Sequence, residues 1–378
     1  MAWKSPSPPG GGYVRHRFHS LCPYFAMFPE SFAQKWIKEL SKPGETVLDP
    51  FCGRGTTPFC AIQMERRAIA CDVNDVAICL TRAKTSPPQL PALRRRITQL
   101  QKGFHDKEWK NCADMQPDFF HHAYARITLR QILYLRSILS WKKSRVDAML
   151  ASLVLGSLHG ESQTSKSYFS NQMPRTISTK PAYSVRFWTD RGLVAPRRDV
   201  FEILRQRAGF RYETPPPEGI ATVVHSDMRQ LPWRLRNQRC KIKCVITSPP
   251  YFDTTNFEED QWLRLWFLGG PPRPIIGRQS RDDRHGHIGR YWQFISDMWR
   301  TLGALVAPRG RVVIRIGSPK INPKALARGL AGCARCSGRG VELESCEVSE
   351  IRRRQTDAFR PGSSGCLSET DCLFRFKD

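Results

Sequence analysis

Acidic residues are scarce in this sequence. Its 34 aspartates and glutamates are outnumbered by 60 lysines and arginines, which gives a formal net charge of +26. Such an excess argues against a cationic partner and favours a polyanion, with nucleic acid as the leading class. The segment 183–188 also places aromatic side chains beside a cation, a mixture that suits contact with both the phosphates and the bases.

Long apolar runs are missing as well. The most apolar stretch, 146–158, contains Asp147 and is too short to cross a bilayer. Residues 1–14 have no apolar signal-peptide core, and the proline and glycine content of this segment predicts a flexible leader. We therefore expect a cytoplasmic protein with no membrane-spanning segment.

Two nucleotide-binding signatures are absent from the first glycine-rich turn. Residues 46–49 predict a buried strand, and Gly53 and Gly55 follow in a turn that leads into a helix. The third glycine of a dinucleotide fingerprint would fall at Pro58, and no Gly-Lys-Ser/Thr triplet follows. Residues 67–72 predict a second strand that ends in an acid, placed where this type of fold accepts hydrogen bonds from ribose hydroxyls. The pattern therefore predicts a cofactor that contains a nucleoside.

A second signal lies at residues 247–251, Thr-Ser-Pro-Pro-Tyr, directly after a predicted buried strand over 242–246. The two prolines end that strand and stiffen the loop at its carboxyl end, where doubly wound sheets bind ligands. A serine hydroxyl, proline carbonyls that accept hydrogen bonds and a tyrosine ring suit a flat heteroaromatic ring with an exocyclic amine.

Together, residues 49–57 and 247–251 resemble the cofactor loop and the catalytic loop of the amino-methylating DNA methyltransferases. The resemblance implies an α/β fold, a Rossmann-like S-adenosylmethionine-dependent methyltransferase sheet with a large, mainly helical insertion. It implies S-adenosyl-L-methionine as cofactor and double-stranded DNA as substrate, with the target base flipped out of the duplex. Ser-Pro-Pro-Tyr is commonest among the enzymes of this family that modify cytosine N4.

The resemblance carries roles to individual residues. For the cofactor they are Asp49, Phe51, Cys52, Gly53, Gly55, Thr56, Thr57, Asp72 and Asp227, and for catalysis Ser248, Pro249, Pro250 and Tyr251. Arg54 departs from the family, which commonly has serine there. Adenine N6 methylation, an RNA substrate and a catalytically silent DNA-binding subunit remain as alternatives.

Cysteine chemistry finds little support. No Pro-Cys dipeptide is present, which argues against the thiolate attack used for methylation at cytosine C5 and favours attack by the exocyclic amine. Cys333 and Cys336 form a CxxC pair without a second such pair, so no metal site is predicted. The 13 cysteines are expected to stay reduced, without disulfides.

The predicted organisation is a leader over 1–14, the cofactor half over 15–84, an insertion over 85–220 and the catalytic half over 221–378. Helical stripes at 120–138 and 149–158 give the insertion its own core, and 165–191 is expected to be irregular. That irregular part is the favoured DNA-reading segment, with 269–290 as its rival. Its candidate DNA-binding residues are Asn171, Arg175, Lys180, Tyr183 and Arg186.

The remaining strands are expected near 221–224, 311–316, 341–348 and 372–376. The first two alternate with helices, whereas the last two follow each other as a hairpin-like pair, and the resemblance implies that the final strand runs antiparallel. A matching restriction endonuclease encoded elsewhere and association with the nucleoid are further expectations, and the oligomeric state is left open.

Overall fold

The structure is a computed structural model that describes residues 15–24, 28–160, 167–173, 180–238, 241–252, 257–275, 277, 287–351 and 366–378. It divides into two compact units. One comprises Met1–Tyr24, Pro87–Pro216 and Phe257–Ile275, and the other comprises Phe25–Ser86, Pro217–Asn256 and Ile276–Asp378. The domain boundaries predicted at 85 and 220 stay a prediction.

The second unit is built on a sheet. Within the described residues its strands are β1 (Thr46–Asp49), β2 (Arg67–Asp72), β3 (Ala221–His225), β4 (Ile242–Thr247), β5 (Val306–Gly317), β6 (Val341–Glu350) and β7 (Ser368–Phe376). They form one sheet in the order β3-β2-β1-β4-β5-β7-β6. The first five pair in parallel, whereas β7 is antiparallel to both β5 and β6. This confirms the Rossmann-like α/β fold and the antiparallel last strand.

Helices of the same unit are α1 (Glu30–Leu40), α2 (Thr56–Gln63), α3 (Asp75–Thr85), α11 (Leu231–Arg234), α14 (Ile288–Leu305) and α15 (Pro323–Ala334). On one face of the sheet, Trp299 and other apolar residues of α14 join a single core with Leu48, Val245 and Ile314. The Trp299 ring meets Phe374 edge-on at 4.9 Å. Because side chains alternate along a strand, the neighbouring residues of these strands face the opposite side of the sheet.

The other unit is helical in the described residues. Its helices are α4 (Leu90–Lys102), α5 (Lys110–Asp114), α6 (Asp118–Ala123), α7 (Arg126–Ile138), α8 (Arg145–Leu155), α9 (Pro181–Asp190), α10 (Val200–Arg211), α12 (Phe257–Asp260) and α13 (Trp262–Phe267). The stripe predicted at 120–138 is divided between α6 and α7, with Ile138 exposed, and the stripe predicted at 149–158 is helical only as far as Leu155. Phe120 packs on Trp266 with ring centroids 4.4 Å apart, which ties α6 to α13.

The structure also corrects two expectations, one about the segment 165–191 and one about the cysteines. The segment 165–191 is not wholly irregular, because α9 begins at Pro181, which suits the first helical turn, and buries Ser184 and Trp188 four residues apart. The cysteines are not all free either: Cys346 and Cys372 form a disulfide. They are direct partners across β6 and β7, so the register of this pair brings their sulfurs together.

None of the described helices is long and apolar enough to cross a membrane. Among the same residues, no three histidine, cysteine or acidic side chains gather where a metal ion could be held.

Candidate active site

The predicted cofactor loop starts at the carboxyl end of β1. Asp49 ends that strand, and its carboxylate Oδ1 accepts hydrogen bonds from the Phe51 amide at 3.1 Å and the Thr247 hydroxyl at 2.7 Å. Asp49 is 1% exposed, and burial raises the pKa of its carboxyl to about 7. The Thr247 bond links the predicted cofactor loop to the strand that leads into the predicted catalytic loop.

A tight turn carries the chain from β1 into α2. Gly53 has φ 48° and Gly55 has φ 74°, both in the left-handed region that glycine tolerates. A Cβ on Gly55 would also lie 2.6 Å from the Thr81 hydroxyl oxygen, so both conformation and packing require glycine there. The Thr81 hydroxyl donates to the Gly53 carbonyl at 3.2 Å, which holds the turn against α3.

Asp72, at the end of β2, faces the same turn. Its Oδ2 accepts from the Gly53 amide and its Oδ1 from the Asn74 amide, each at 2.9 Å. Burial raises the pKa of this carboxyl, although the side chain stays partly accessible. A carboxylate offers about four acceptor positions, so these amide bonds, together with one from Val73, leave capacity for a ribose hydroxyl.

The remaining loop residues act mainly on the loop itself. Cys52 is buried and its amide donates to the Cys71 carbonyl at 2.9 Å, which joins the turn to β2. Thr56 accepts from Arg54 Nε at 3.3 Å, and the Thr57 hydroxyl donates to the Ile246 carbonyl of β4 at 3.2 Å. Phe51 is partly exposed and packs on Phe294 of α14, with ring centroids 5.5 Å apart.

Arg54, the departure from the family pattern, lies in the interior. It is 5% exposed, and its guanidinium stands 3.7 Å from the Glu30 carboxylate at the start of α1. The Lys84 ammonium donates to its backbone carbonyl. Arg54 therefore holds the loop through contacts in the protein interior. The sequence did not predict this role, because nothing near Glu30 in the sequence indicates that it pairs with Arg54.

Asp227 follows β3 at the same edge of the sheet. Both of its oxygens are engaged by Arg229: Oδ1 accepts from the amide and Nε at 2.9 Å each, and Oδ2 accepts from the guanidinium at 2.7 Å. A cofactor contact from this residue stays a prediction, and it would share the carboxylate with an arginine.

The predicted catalytic loop follows β4. Ser248 and Tyr251 are partly exposed and Pro249 is buried, whereas the Pro250 carbonyl accepts from the Tyr291 hydroxyl at 3.3 Å. The Tyr251 phenol donates to Glu369 at 2.9 Å. Burial, with the neighbouring Glu369 charge as the second cause, holds the pKa of this phenol well above its usual range, so the hydroxyl stays protonated at neutral pH.

S-adenosyl-L-methionine fits the residues at this edge. Among the residues that the structure describes, no group donates a hydrogen bond to the buried Oδ2 of Asp49, so a donor of the cofactor would satisfy this acceptor. Asp49 and Asp72 would hold the cofactor, and the glycine turn would let it approach the backbone. When bound, this cofactor supplies an electrophilic methyl group on a sulfonium.

The candidate DNA-binding residues differ in their surroundings. Asn171 is 7% exposed and donates to the Leu193 carbonyl at 3.1 Å, so its amide is occupied within the fold. Lys180, Tyr183 and Arg186 are exposed along α9 and just before it. Arg175 lies outside the described residues.

Comparison with known proteins finds matches over part of this chain. Residues 6–81 match the family model described as DNA methylase. The Type II methyltransferase M.MjaI of Methanocaldococcus jannaschii is 43% identical over 49 residues, and M.SmaI of Serratia marcescens is 36% identical over 52 residues. These segments are 13% and 14% of this chain, and they span only 16% and 18% of those relatives. The matches support the amino-methylating DNA methyltransferase family and S-adenosyl-L-methionine as cofactor.

The solved structures that this chain matches include TrmN from Thermus thermophilus, which is 12% identical with a TM-score of 0.37, and the match covers 96% of this chain and 52% of that one. Another is the rRNA methyltransferase aviRa from Streptomyces viridochromogenes, 12% identical with a TM-score of 0.35, covering 96% of this chain and 90% of its own. The strand order of the sheet, and not these matches, defines the fold.

Proposed function

We propose that this protein transfers a methyl group from S-adenosyl-L-methionine to the exocyclic N4 of cytosine in duplex DNA. The observation that carries the proposal is the 2.7 Å hydrogen bond from Thr247 to Asp49, since it couples the cofactor loop of β1 directly to the Ser-Pro-Pro-Tyr loop of β4. The match of residues 6–81 to the DNA methylase model supports methyl transfer to DNA, and the serine at position 248 is what favours cytosine over adenine.

The catalytic loop has to make the exocyclic amine of cytosine more nucleophilic and orient it toward the methyl group. The N4 lone pair of cytosine is delocalised into the ring, so it is a poor nucleophile. Acceptors at the Ser248 hydroxyl and the Pro249 carbonyl would draw the amine hydrogens out of plane and restore lone-pair character, while orienting the amine for in-line transfer. The Pro250 carbonyl already accepts from the Tyr291 hydroxyl at 3.3 Å, and the proposal therefore assigns the amine to the other two groups.

Tyr251 would hold the flipped base by stacking. Extrusion of a base from a duplex costs a few kcal/mol, which contact with an aromatic ring partly offsets. Because the raised pKa keeps the phenol protonated, Tyr251 does not act as a base at neutral pH. The acidic product amine can release its proton to water.

Product analysis tests the reaction. The wild-type protein, duplex DNA and cofactor labelled in the methyl group should yield labelled N4-methylcytosine on mass spectrometry of digested nucleosides. Ser248→Ala should keep cofactor and DNA affinity but lose most of kcat, since an acceptor matched to the transition state contributes mainly to rate. N6-methyladenine would move the activity to the alternative base, and 5-methylcytosine or transfer to RNA alone would overturn the proposal.

The face of α9 is our candidate for DNA contact. Tyr183 is 52% exposed and stands 6.4 Å from the Phe187 ring, over which the Arg191 guanidinium lies at 4.1 Å. Arg186 is exposed on the same helix. Exposed rings flanked by cations suit stacking and phosphate contact.

Two substitutions separate DNA contact from folding. Arg186→Ala should weaken DNA binding and reduce its salt dependence by about one phosphate contact, with no loss of thermal stability. Asn171→Ala should instead lower stability, because it removes the partner of the Leu193 carbonyl. Unchanged DNA affinity in Arg186→Ala would remove this face from the interface. A restriction endonuclease of matching specificity is a further proposal, to be tested in the neighbouring genes.

A further inference from the structure

A chain of polar side chains extends from the phenol of Tyr251 into the sheet. Tyr251 Oη donates to Glu369 Oε1 at 2.9 Å, and Glu369 Oε2 lies 3.0 Å from an Arg315 terminal nitrogen. The same guanidinium donates through Nε and its other terminal nitrogen to the two oxygens of Asp371, at 2.7 Å each. The paired geometry is the strong bidentate arrangement that fixes an arginine in one orientation.

The register of the antiparallel strands creates this chain. Arg315 is paired with Asp371 and Gly317 with Glu369 across β5 and β7. Positions two apart in a strand share a face, so the two acids and the arginine point to the same side of the sheet. Arg315 and Asp371 are each 8% exposed, and the guanidinium stacks on the Phe32 ring of α1 at 3.8 Å.

The ring of Tyr251 also contacts Gly317, the last residue of β5. A Cβ on Gly317 would lie 2.9 Å from Tyr251 Cε2 and 2.6 Å from the Cys366 sulfur. The ring therefore rests directly on the backbone of β5, where any side chain would displace it. The phenol is held at one end by a carboxylate and the ring is supported by a glycine.

We propose that Glu369 is a positioning residue that fixes the Tyr251 ring in its stacking orientation before the target base arrives. The proposal rests on the function proposed above, in which Tyr251 stacks on the flipped base. Arg315 and Asp371 hold Glu369 in turn, so the orientation of the ring is set by the sheet rather than by the loop. Pre-ordering of the ring lowers the ordering cost of base capture.

Kinetics with matched variants test the proposal. Glu369→Leu should lower kcat about tenfold or more and weaken capture of the base, with unchanged cofactor affinity, whereas Glu369→Gln, which keeps an acceptor for the phenol, should stay within about threefold of wild type. Glu344→Leu is the control. Its side chain is 22% exposed against 21% for Glu369, and it pairs with Arg311 and Arg375 instead.

Two further variants test whether these residues act as a unit. Tyr251→Phe removes the donor and keeps the ring, so the double variant Tyr251→Phe with Glu369→Leu should be no worse than the poorer single variant. Gly317→Ala should reproduce the kinetic loss of Glu369→Leu without changing any charge. Additive effects in the double variant would assign Glu369 a purely structural role.

A spectroscopic readout is independent of activity. With 3-fluorotyrosine at position 251, the ¹⁹F resonance should shift or broaden in Glu369→Leu and stay unchanged in Glu344→Leu. An unchanged resonance in Glu369→Leu, or wild-type kcat in that variant, would overturn the positioning role. A wild-type protein that methylates no DNA would instead sink the proposed function, and the resonance would still decide whether Glu369 orders the ring.

Discussion

The buried carboxyl of Asp49 predicts a stability that falls as the pH rises. Burial displaces its pKa from 3.8 to about 7, which corresponds to roughly 4 kcal/mol of differential stability as an upper limit. In this group the folded pKa lies above the unfolded one. The folded state therefore binds the proton more tightly than the unfolded state does. The stability that this proton contributes is complete below about pH 4 and is lost as the pH rises to about 7.

Asp49→Asn tests this reasoning because it removes the charge and keeps the shape. One amide oxygen remains to accept from Thr247 and Phe51, although more weakly than a carboxylate does. Below about pH 4 the variant should match the wild type, and above about pH 7.5 it should be more stable by roughly 2 kcal/mol after the weaker hydrogen bonds are subtracted. Urea denaturation followed by tryptophan fluorescence at several pH values measures the difference.

Asp147→Asn is the matched control. Asp147 is also nearly buried, at 4% exposure, but it is paired with Arg96 at 3.0 Å and accepts from the Ser140 amide at 3.0 Å. Loss of that paired charge should destabilise the protein at neutral pH, the opposite sign. A pH-independent difference for Asp49→Asn, or lower stability at pH 8, would refute the argument. Cofactor affinity, measured by calorimetry, should fall in Asp49→Asn even where stability rises.

Three other outcomes are expected. Gly55→Ala should cost about 1–3 kcal/mol and weaken cofactor binding, because its Cβ would meet Thr81, whereas Gly44→Ala, with φ 82° and open space around it, should leave cofactor affinity unchanged in calorimetry. Arg54→Ser should lower the free energy of unfolding by about 3 kcal/mol because it removes the buried cation beside the Glu30 carboxylate, and Glu30→Gln in the same chain should recover part of that loss in urea denaturation. DNA affinity should fall about a thousandfold between roughly 50 and 200 mM salt if about six phosphates are contacted, and a flat response in a fluorescence-anisotropy titration would refute the electrostatic argument.

The parts of the site that are local in sequence could be predicted. The buried runs of β1, β2 and β4 end in Asp49, Asp72 and Thr247, and the glycine turn and the double proline mark where each strand stops. Parallel strands bring such ends to one edge, so the residues identified separately meet there.

Long-range partners could not be predicted in the same way. Glu369 lies 118 residues beyond Tyr251, and only the pairing of β7 with β5 selects it among the acids of this chain. The Cys346 disulfide has the same origin, because the register of β6 shifts between Leu343 and Ser345 and so decides which residue faces Cys372. Periodicity of two along a strand carries no information about such a shift.

The two acids Asp49 and Asp72 must serve a cationic cofactor without repelling the phosphates of the proposed DNA substrate. A net charge of +26 favours the proposed DNA substrate, yet the proposed cofactor carries a cationic sulfonium that needs nearby acids. Backbone amides hold the carboxylates of Asp49 and Asp72, and burial keeps Asp49 partly protonated near pH 7, so little negative charge reaches the surface where phosphates would pass. A bound cation would draw the Asp49 proton away, since an opposite charge stabilises the ionised form. Cofactor binding near neutral pH should therefore release protons, and calorimetry in buffers of different ionisation enthalpy would detect them, whereas identical heats in all buffers would show that Asp49 does not face the cation.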